Sequence, residues 1–245
     1  MLRMNEDLDN IQYSLIRNYP YAEWFRERQY NGKTLTEAER KELITVADET
    51  TSSYAEGLPM LKKMLEDNRG KHDEAHKAYS ILLSVMQFVL ITLIDNMVIT
   101  KYFILADKDY DRRFMRGKMK VILNEGFKKL YGFNEGKHSK WNDIGTIVKF
   151  FPEEIHRQYQ ELTSLLEEQS KSSSWWKDER DVETHLDADK LYDSRCEDIE
   201  EGKVMTESAK LYSALFSVDA FLTNMHACFH NALLDKYKRG ELINE

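Results

Sequence analysis

The stretch ILLSVMQFVLITLIDNMVITKYFIL, from Ile81 to Leu105, is the segment of this 245-residue sequence that has to be tested as a membrane span. Four polar side chains interrupt it, namely Gln87, Asp95, Asn96 and Lys101. A carboxylate near the centre of a bilayer costs about 2.5–3.5 kcal/mol on insertion scales. We therefore expect a helix that is buried on most of its sides in a soluble, cytoplasmic protein, with no membrane partner.

The composition outside this stretch also indicates helices. The sequence has 3 prolines and 10 glycines, whereas an all-β protein needs a turn roughly every 8–12 residues and uses these residue types to make it. A hydrophobic content of 42% supplies a core and excludes disorder of the whole chain. Residues 1–10, MLRMNEDLDN, contain no apolar signal segment, and the two cysteines do not have zinc-finger spacing.

Local signals predict a single all-α domain over residues 1–245, a helical bundle with long antiparallel helices. The helices up to residue 70 are expected to be peripheral, and the core bundle covers about residues 71–238. A capping box at Thr36–Glu39 begins the first helix, and Gly57-Leu58-Pro59 predicts a break or kink in it. The predicted helices are 36–51, 71–107, 110–131, 152–169 and 206–238. Ser170–Ser174 is the expected linker, and a loop-rich acidic insert from Trp175 to Gly202 precedes the last helix.

Charge is concentrated in two opposed blocks. Residues 112–140 hold nine basic and two acidic side chains, a net charge of +7, whereas residues 177–201 hold four basic and eleven acidic side chains, a net charge of −7. These blocks can pair within the fold, pair between subunits, or leave the basic face free to bind phosphates. In the third case the RNA-binding candidates are Arg112, Arg113, Arg116, Lys118 and Lys120.

Several histidine pairs have spacings that occur in metal sites. Glu153-x-x-His156 and Asp73-x-x-His76 resemble half of a di-iron signature, but each lies in or near a first helical turn, where acidic residues suit the helix dipole. His226 and His230 lie one turn apart, without an obvious third ligand, and so do His72 and His76. We therefore expect structural roles for these residues, and no metal and no cofactor; the alternative is a small-metal bundle that uses His226 and His230 or Glu153 and His156.

No motif of the common phosphate-binding or nucleophilic sites is present. The sequence lacks Gly-x-Ser-x-Gly, Gly-x-x-x-x-Gly-Lys-Ser/Thr and Gly-x-Gly-x-x-Gly. This excludes the usual serine hydrolase, nucleoside triphosphatase and dinucleotide-binding classes.

One short pattern, Arg180-Asp181-Val-Glu-Thr-His185, has an arginine, a polar residue directly after it, and a histidine after four intervening residues. It resembles the Arg-x4–6-His motif of the HEPN (higher eukaryotes and prokaryotes nucleotide-binding) superfamily. The resemblance implies an all-α homodimer with a shared site, a metal-independent endoribonuclease of a toxin–antitoxin or phage-defence system, and an antitoxin as protein partner. A second match, Arg69…His76, has Gly70 where the motif prefers a polar residue.

These residue types suit RNA cleavage without a metal. His185, with an ordinary pKa of about 6.5, can take the proton of a ribose 2′-hydroxyl or protonate the leaving oxygen. Arg180 can donate two hydrogen bonds to phosphate oxygens, and Asp181 can orient its neighbours. The alternative is a non-catalytic helical interaction protein, in which Arg180 pairs with nearby carboxylates and His185 caps a helix or fills a pocket.

Overall fold

The computed structural model describes residue 21 and residues 35–132, 139–173 and 201–238. Six α-helices and no strands account for the regular structure of these residues, so the all-α prediction is confirmed. The helices are α1 (Glu37–Asp67), α2 (Glu74–Leu105), α3 (Asp109–Leu130), α4 (Lys140–Val148), α5 (Glu153–Ser173) and α6 (Glu201–Lys238).

The helix ends follow local chemistry. Thr36 and Glu39 form the predicted capping box at the start of α1, with the Glu39 carboxylate accepting from the Thr36 backbone N–H at 2.7 Å. Asp73 caps α2 by accepting from the backbone N–H of His76 at 3.0 Å. Gly132, at φ +90°, follows the end of α3 in the left-handed conformation that glycine adopts without steric cost.

The α1 and α2 helices pack antiparallel and are joined at both ends. At one end the Asn68 side-chain amide donates to the His76 carbonyl at 2.7 Å. At the other end Arg40 donates to the Leu105 carbonyl at 3.1 Å and pairs with Asp107. Helix α2 also packs against α3, α4 and α6 and is therefore the centre of the bundle.

A buried polar cluster fixes the position of α2 against α6. Asn96 donates from its amide to the Ser208 carbonyl at 3.1 Å and accepts from the Ser208 hydroxyl at 2.9 Å. The Thr100 hydroxyl lies 3.0 Å from the same Ser208 hydroxyl. All three residues are buried, so a shift of either helix by one turn would leave polar groups unpaired in the core.

The α4 and α5 helices form a short antiparallel pair. Trp141 is buried, stacks on Tyr159 with ring centroids 4.8 Å apart, and donates from Nε1 to the Thr163 hydroxyl at 2.8 Å. The buried hydrophobic side chains of the described residues, including those of this pair, belong to a single core cluster.

Helix α1 continues through Gly57-Leu58-Pro59, so the break predicted there does not occur. Pro59 is exposed, and the helix continues through it although the missing N–H removes one backbone hydrogen bond and the ring crowds the carbonyl of Ala55. Leu61, two residues further on, is buried in the core. The burial of the next turn outweighs the single lost hydrogen bond.

Three other boundaries differ from the prediction. Helix α4 was not predicted, because nine residues give too short a periodic pattern. The expected linker at Ser170–Ser174 is helical as far as Ser173, and Ser170 is buried with its hydroxyl donating to the Glu167 carbonyl. Helix α6 begins at Glu201 instead of Thr206. The remainder of the predicted acidic insert lies outside the described residues.

Within the described part of the chain, α2 is the one helix whose length and hydropathy are sufficient to cross a membrane. Its most apolar window has a mean hydropathy of 2.0, and 39% of that window is buried by the rest of the chain. The core helix of a soluble bundle meets the same two criteria. Part of the surface of α2 therefore remains uncovered.

Candidate functional site

The three predicted catalytic residues, Arg180, Asp181 and His185, lie outside the described residues. Their role remains a prediction from the sequence. The second Arg…His match can be examined. Arg69 is exposed in the turn after α1, and His76 lies in the first turn of α2.

His76 belongs to the N-terminal cap of α2. Its Nδ1 pairs with the Asp73 carboxylate, which also accepts from the His76 backbone N–H. The backbone hydrogen bond, together with the imidazole, lowers the pKa of Asp73. The imidazole is thus occupied by helix capping, and this match has a structural explanation.

The five predicted RNA-binding residues of α3 divide between surface and interior. The Arg116 and Lys120 side chains are only 5% and 1% exposed. Arg112, Arg113 and Lys118 are half-buried, with Arg113 paired to Asp109 at 3.0 Å. The part of the predicted basic surface that solvent reaches is therefore smaller than the charge count implied.

Arg116 and Lys120 share the helical face of Leu123 and Phe127, since residues separated by three or four positions lie on one side of a helix. This spacing can be read directly from the sequence. The prediction placed every charge on the solvent side, whereas the apolar positions of α3 put these two inside.

Of the candidate metal pairs, His226 and His230 contact other rings, whereas Glu153 and His156 contact each other. The Tyr79 hydroxyl lies 3.0 Å from His226 Nε2, and the His230 ring lies edge-on to His226 at 5.6 Å. Desolvation, followed by the proximity of His230, lowers the pKa of His226. Glu153 lies 3.7 Å from Nδ1 of His156. Among the described residues no three His, Cys, Asp or Glu side chains come together as a ligand set.

A cavity of about 670 Å³ opens at the end of the bundle near the start of α2. Its walls come from the first turns of α2, from the α4–α5 connection and from the C-terminal half of α6. The lining residues are Glu74, Ala75, Ala78, Phe150, Phe151, Pro152, Cys228, Phe229 and Ala232. Sequence reasoning missed this site because its walls come from three segments, each about 75 positions from the next.

Aromatic packing supports one wall of the cavity. The Phe229 ring stacks on Tyr79 with centroids 4.5 Å apart and planes 4° from parallel. Tyr79 therefore has two contacts with α6: its ring stacks on Phe229, and its hydroxyl lies near His226. Burial raises the pKa of Tyr79, so this hydroxyl stays protonated at neutral pH.

The other residues that line the cavity have side chains that a ligand can contact. Phe150 is largely exposed, and the Lys149 ammonium lies 4.9 Å from the centre of its ring. Cys228 is a half-buried free thiol. Glu74 is exposed and has no ion-pair partner among the described residues. The cavity thus combines an apolar interior, three phenylalanine rings, one carboxylate and one thiol.

The sequence and the structure were compared with known proteins: no family model, no curated protein and no solved structure matches this chain.

Proposed function

We propose that this protein is a HEPN-like, metal-independent endoribonuclease of a toxin–antitoxin or defence system, acting in the cytoplasm as a homodimer with an antitoxin-like protein partner. The observation that carries this proposal is the Arg180-Asp181…His185 pattern in an all-α chain. The other Arg…His match supports the choice indirectly, because His76 has a capping role of its own.

The proposed chemistry assigns one task to each residue. His185 moves the proton between the ribose 2′-hydroxyl, water and the leaving oxygen, since its ordinary pKa lies near neutrality. Arg180 stays charged and stabilises the negative charge that develops on the phosphate oxygens. Asp181 orients its neighbours. The half-buried cations of α3, Arg112 and Lys118 among them, add attraction for the RNA backbone.

The first experiment measures cleavage of a mixed RNA pool in the presence of EDTA. We expect the native protein to cleave, and His185→Ala to cleave slower by about a hundredfold or more. The matched control is His76→Ala, which removes the histidine of the other match and should cleave at the native rate at a temperature where it is folded. Equal cleavage by native protein and His185→Ala contradicts the assignment, and so does the absence of cleavage by the native protein.

A second candidate function, a non-catalytic helical interaction protein, is favoured by the uncovered side of α2. Ile91 is 42% exposed and Tyr102 is 48% exposed, although they belong to the most apolar helix of the described chain. Val98 lies between them and is only partly buried. These residues are separated by seven and four positions, so they form one stripe along the helix, which also contains the exposed Asp95.

Sedimentation equilibrium tests this stripe and the proposed homodimer together. If α2 mediates self-association, Ile91→Asp weakens it by at least about tenfold, because a charge replaces an apolar contact at the interface. Met60→Asp is the matched control, since Met60 is an exposed apolar residue of α1 away from this stripe. A native protein that stays monomeric, or two variants with the same effect, contradicts the α2 interface.

A further inference from the structure

The cavity near Cys228 takes no part in the function proposed above. Its size and its lining are those of a small-molecule site. Its volume of about 670 Å³ lies within the range of roughly 300–1,000 Å³ that is usual for ligand pockets. Such pockets combine apolar walls with a few polar groups that fix the orientation of the ligand. Here the interior is formed by alanine, proline and phenylalanine, and the polar groups are Glu74 and Cys228.

The aromatic rings indicate the charge of the ligand. The face of a phenylalanine ring is negative and attracts a cation placed within about 6 Å of its centre. The protein already uses one of these rings in this way, because the Lys149 ammonium lies 4.9 Å from the centre of Phe150. Phe151 and Phe229 line the same cavity. The walls thus offer more than one ring to a positively charged group.

The carboxylate supports the same conclusion. Glu74 lines the cavity and has no ion-pair partner among the described residues, whereas the adjacent Asp73 is occupied by His76. A ligand cation would give the exposed Glu74 carboxylate an ion-pair partner. An anion would meet this carboxylate, with the Lys149 ammonium over Phe150 as the nearby positive charge.

We propose that the cavity between the start of α2, the α4–α5 connection and α6 binds an organic monocation with an apolar body, such as an alkyl- or aryl-substituted ammonium ion. The aromatic rings enclose its apolar body and contact its charged group, and Glu74 neutralises the charge. No covalent step is involved. Cys228 lines the site and serves as a reporter of its occupancy.

The test uses the full chain with Cys196→Ser, so that Cys228 is the single thiol. Three probes of similar size are compared: phenyltrimethylammonium, its neutral isostere tert-butylbenzene, and benzenesulfonate. The rate of Cys228 alkylation by N-ethylmaleimide is measured against the concentration of each probe, and calorimetric titration gives the Kd independently. We expect phenyltrimethylammonium to slow alkylation saturably and benzenesulfonate to have no effect.

Glu74→Gln separates charge recognition from apolar binding. It should weaken phenyltrimethylammonium by about fivefold, as expected for a partly solvated ion pair, and should change the binding of tert-butylbenzene by less than about twofold. Glu153→Gln is the matched control, because Glu153 is an exposed carboxylate near the cavity that does not line it. The proposal is overturned if tert-butylbenzene or benzenesulfonate binds as well as the cation, if Glu153→Gln has the effect of Glu74→Gln, or if calorimetry detects no binding of the cation.

Discussion

Replacing Asn124 with leucine removes a polar side chain that is fully buried in α3 and has no hydrogen-bond partner among the described residues for either its amide nitrogen or its oxygen. Leaving such a group unpaired in the interior costs about 1–3 kcal/mol. Leucine has the same number of heavy atoms as asparagine and a similar shape. We therefore expect Asn124→Leu to leave the free energy of unfolding unchanged or to raise it by up to about 2 kcal/mol.

The matched variant is Asn96→Leu, which makes the same change at a residue that is also buried but fully paired. Asn96 loses the bond to the Ser208 carbonyl and the bond from the Ser208 hydroxyl, each contributing about 1 kcal/mol. We expect a destabilisation of about 2–3 kcal/mol. Leucine is larger than asparagine, and because both sites are buried its packing cost applies to both variants, so the difference between them depends on hydrogen bonding.

Urea denaturation followed by circular dichroism at 222 nm measures both variants. The two midpoints should lie on opposite sides of the native midpoint, or at the least be separated by a difference of about 2 kcal/mol in free energy, with unchanged slopes. Equal destabilisation by the two substitutions would refute the reasoning. It would show that the Asn124 amide has a partner, such as a buried water molecule, that matters as much as Ser208 does to Asn96.

Two further predictions concern glycines and pH. Gly57→Ala should raise the free energy of unfolding by about 0.5–1 kcal/mol, because a Cβ in this helix interior meets only an ordinary contact. Gly145→Ala should lower the free energy of unfolding by about 1–3 kcal/mol, because its Cβ would lie 2.5 Å from the Tyr159 hydroxyl. Thermal unfolding of both variants tests whether the two changes have opposite signs. The lowered pKa of His226 means that the unfolded chain binds this proton more readily than the folded protein, so the stability that it contributes is present above about pH 6.5 and is lost as the pH falls. His226→Gln should therefore lose less stability than the native protein between pH 7.5 and pH 5, and in His230→Gln the His226 imidazole should titrate at a higher pH by NMR.

The fold class could be predicted from sequence because its signals are local. The capping box at Thr36–Glu39, the long apolar run of α2 and the glycine after α3 each depend on residues within a few positions of one another. Pro59 shows where local reasoning fails. Whether a proline interrupts a helix depends on which side of the helix faces solvent and on what the following turn packs against, and these are tertiary properties.

The candidate sites were harder to predict, for two different reasons. Arg116 and Lys120 were assigned to the surface because of their charge, although the periodicity of α3 placed them on the same side as buried leucine and phenylalanine residues. The cavity left no pattern in the sequence at all, because Glu74, Phe150 and Cys228 become neighbours only when three separate segments pack together. The regular spacing of α3 could have corrected the prediction for Arg116 and Lys120. No local pattern in the sequence could have predicted the cavity.

The central position of α2 has a consequence for the synthesis of the protein. Helix α2 ends at Leu105 and its partner α6 begins at Glu201, so roughly a hundred residues must be translated between them. At about 5–20 residues per second this takes roughly 5–20 s. During this interval the nascent chain exposes to solvent the side of α2 that Ser208 and its neighbours later cover. The order of the helices thus leaves more of the apolar surface of α2 uncovered during synthesis than in the finished bundle.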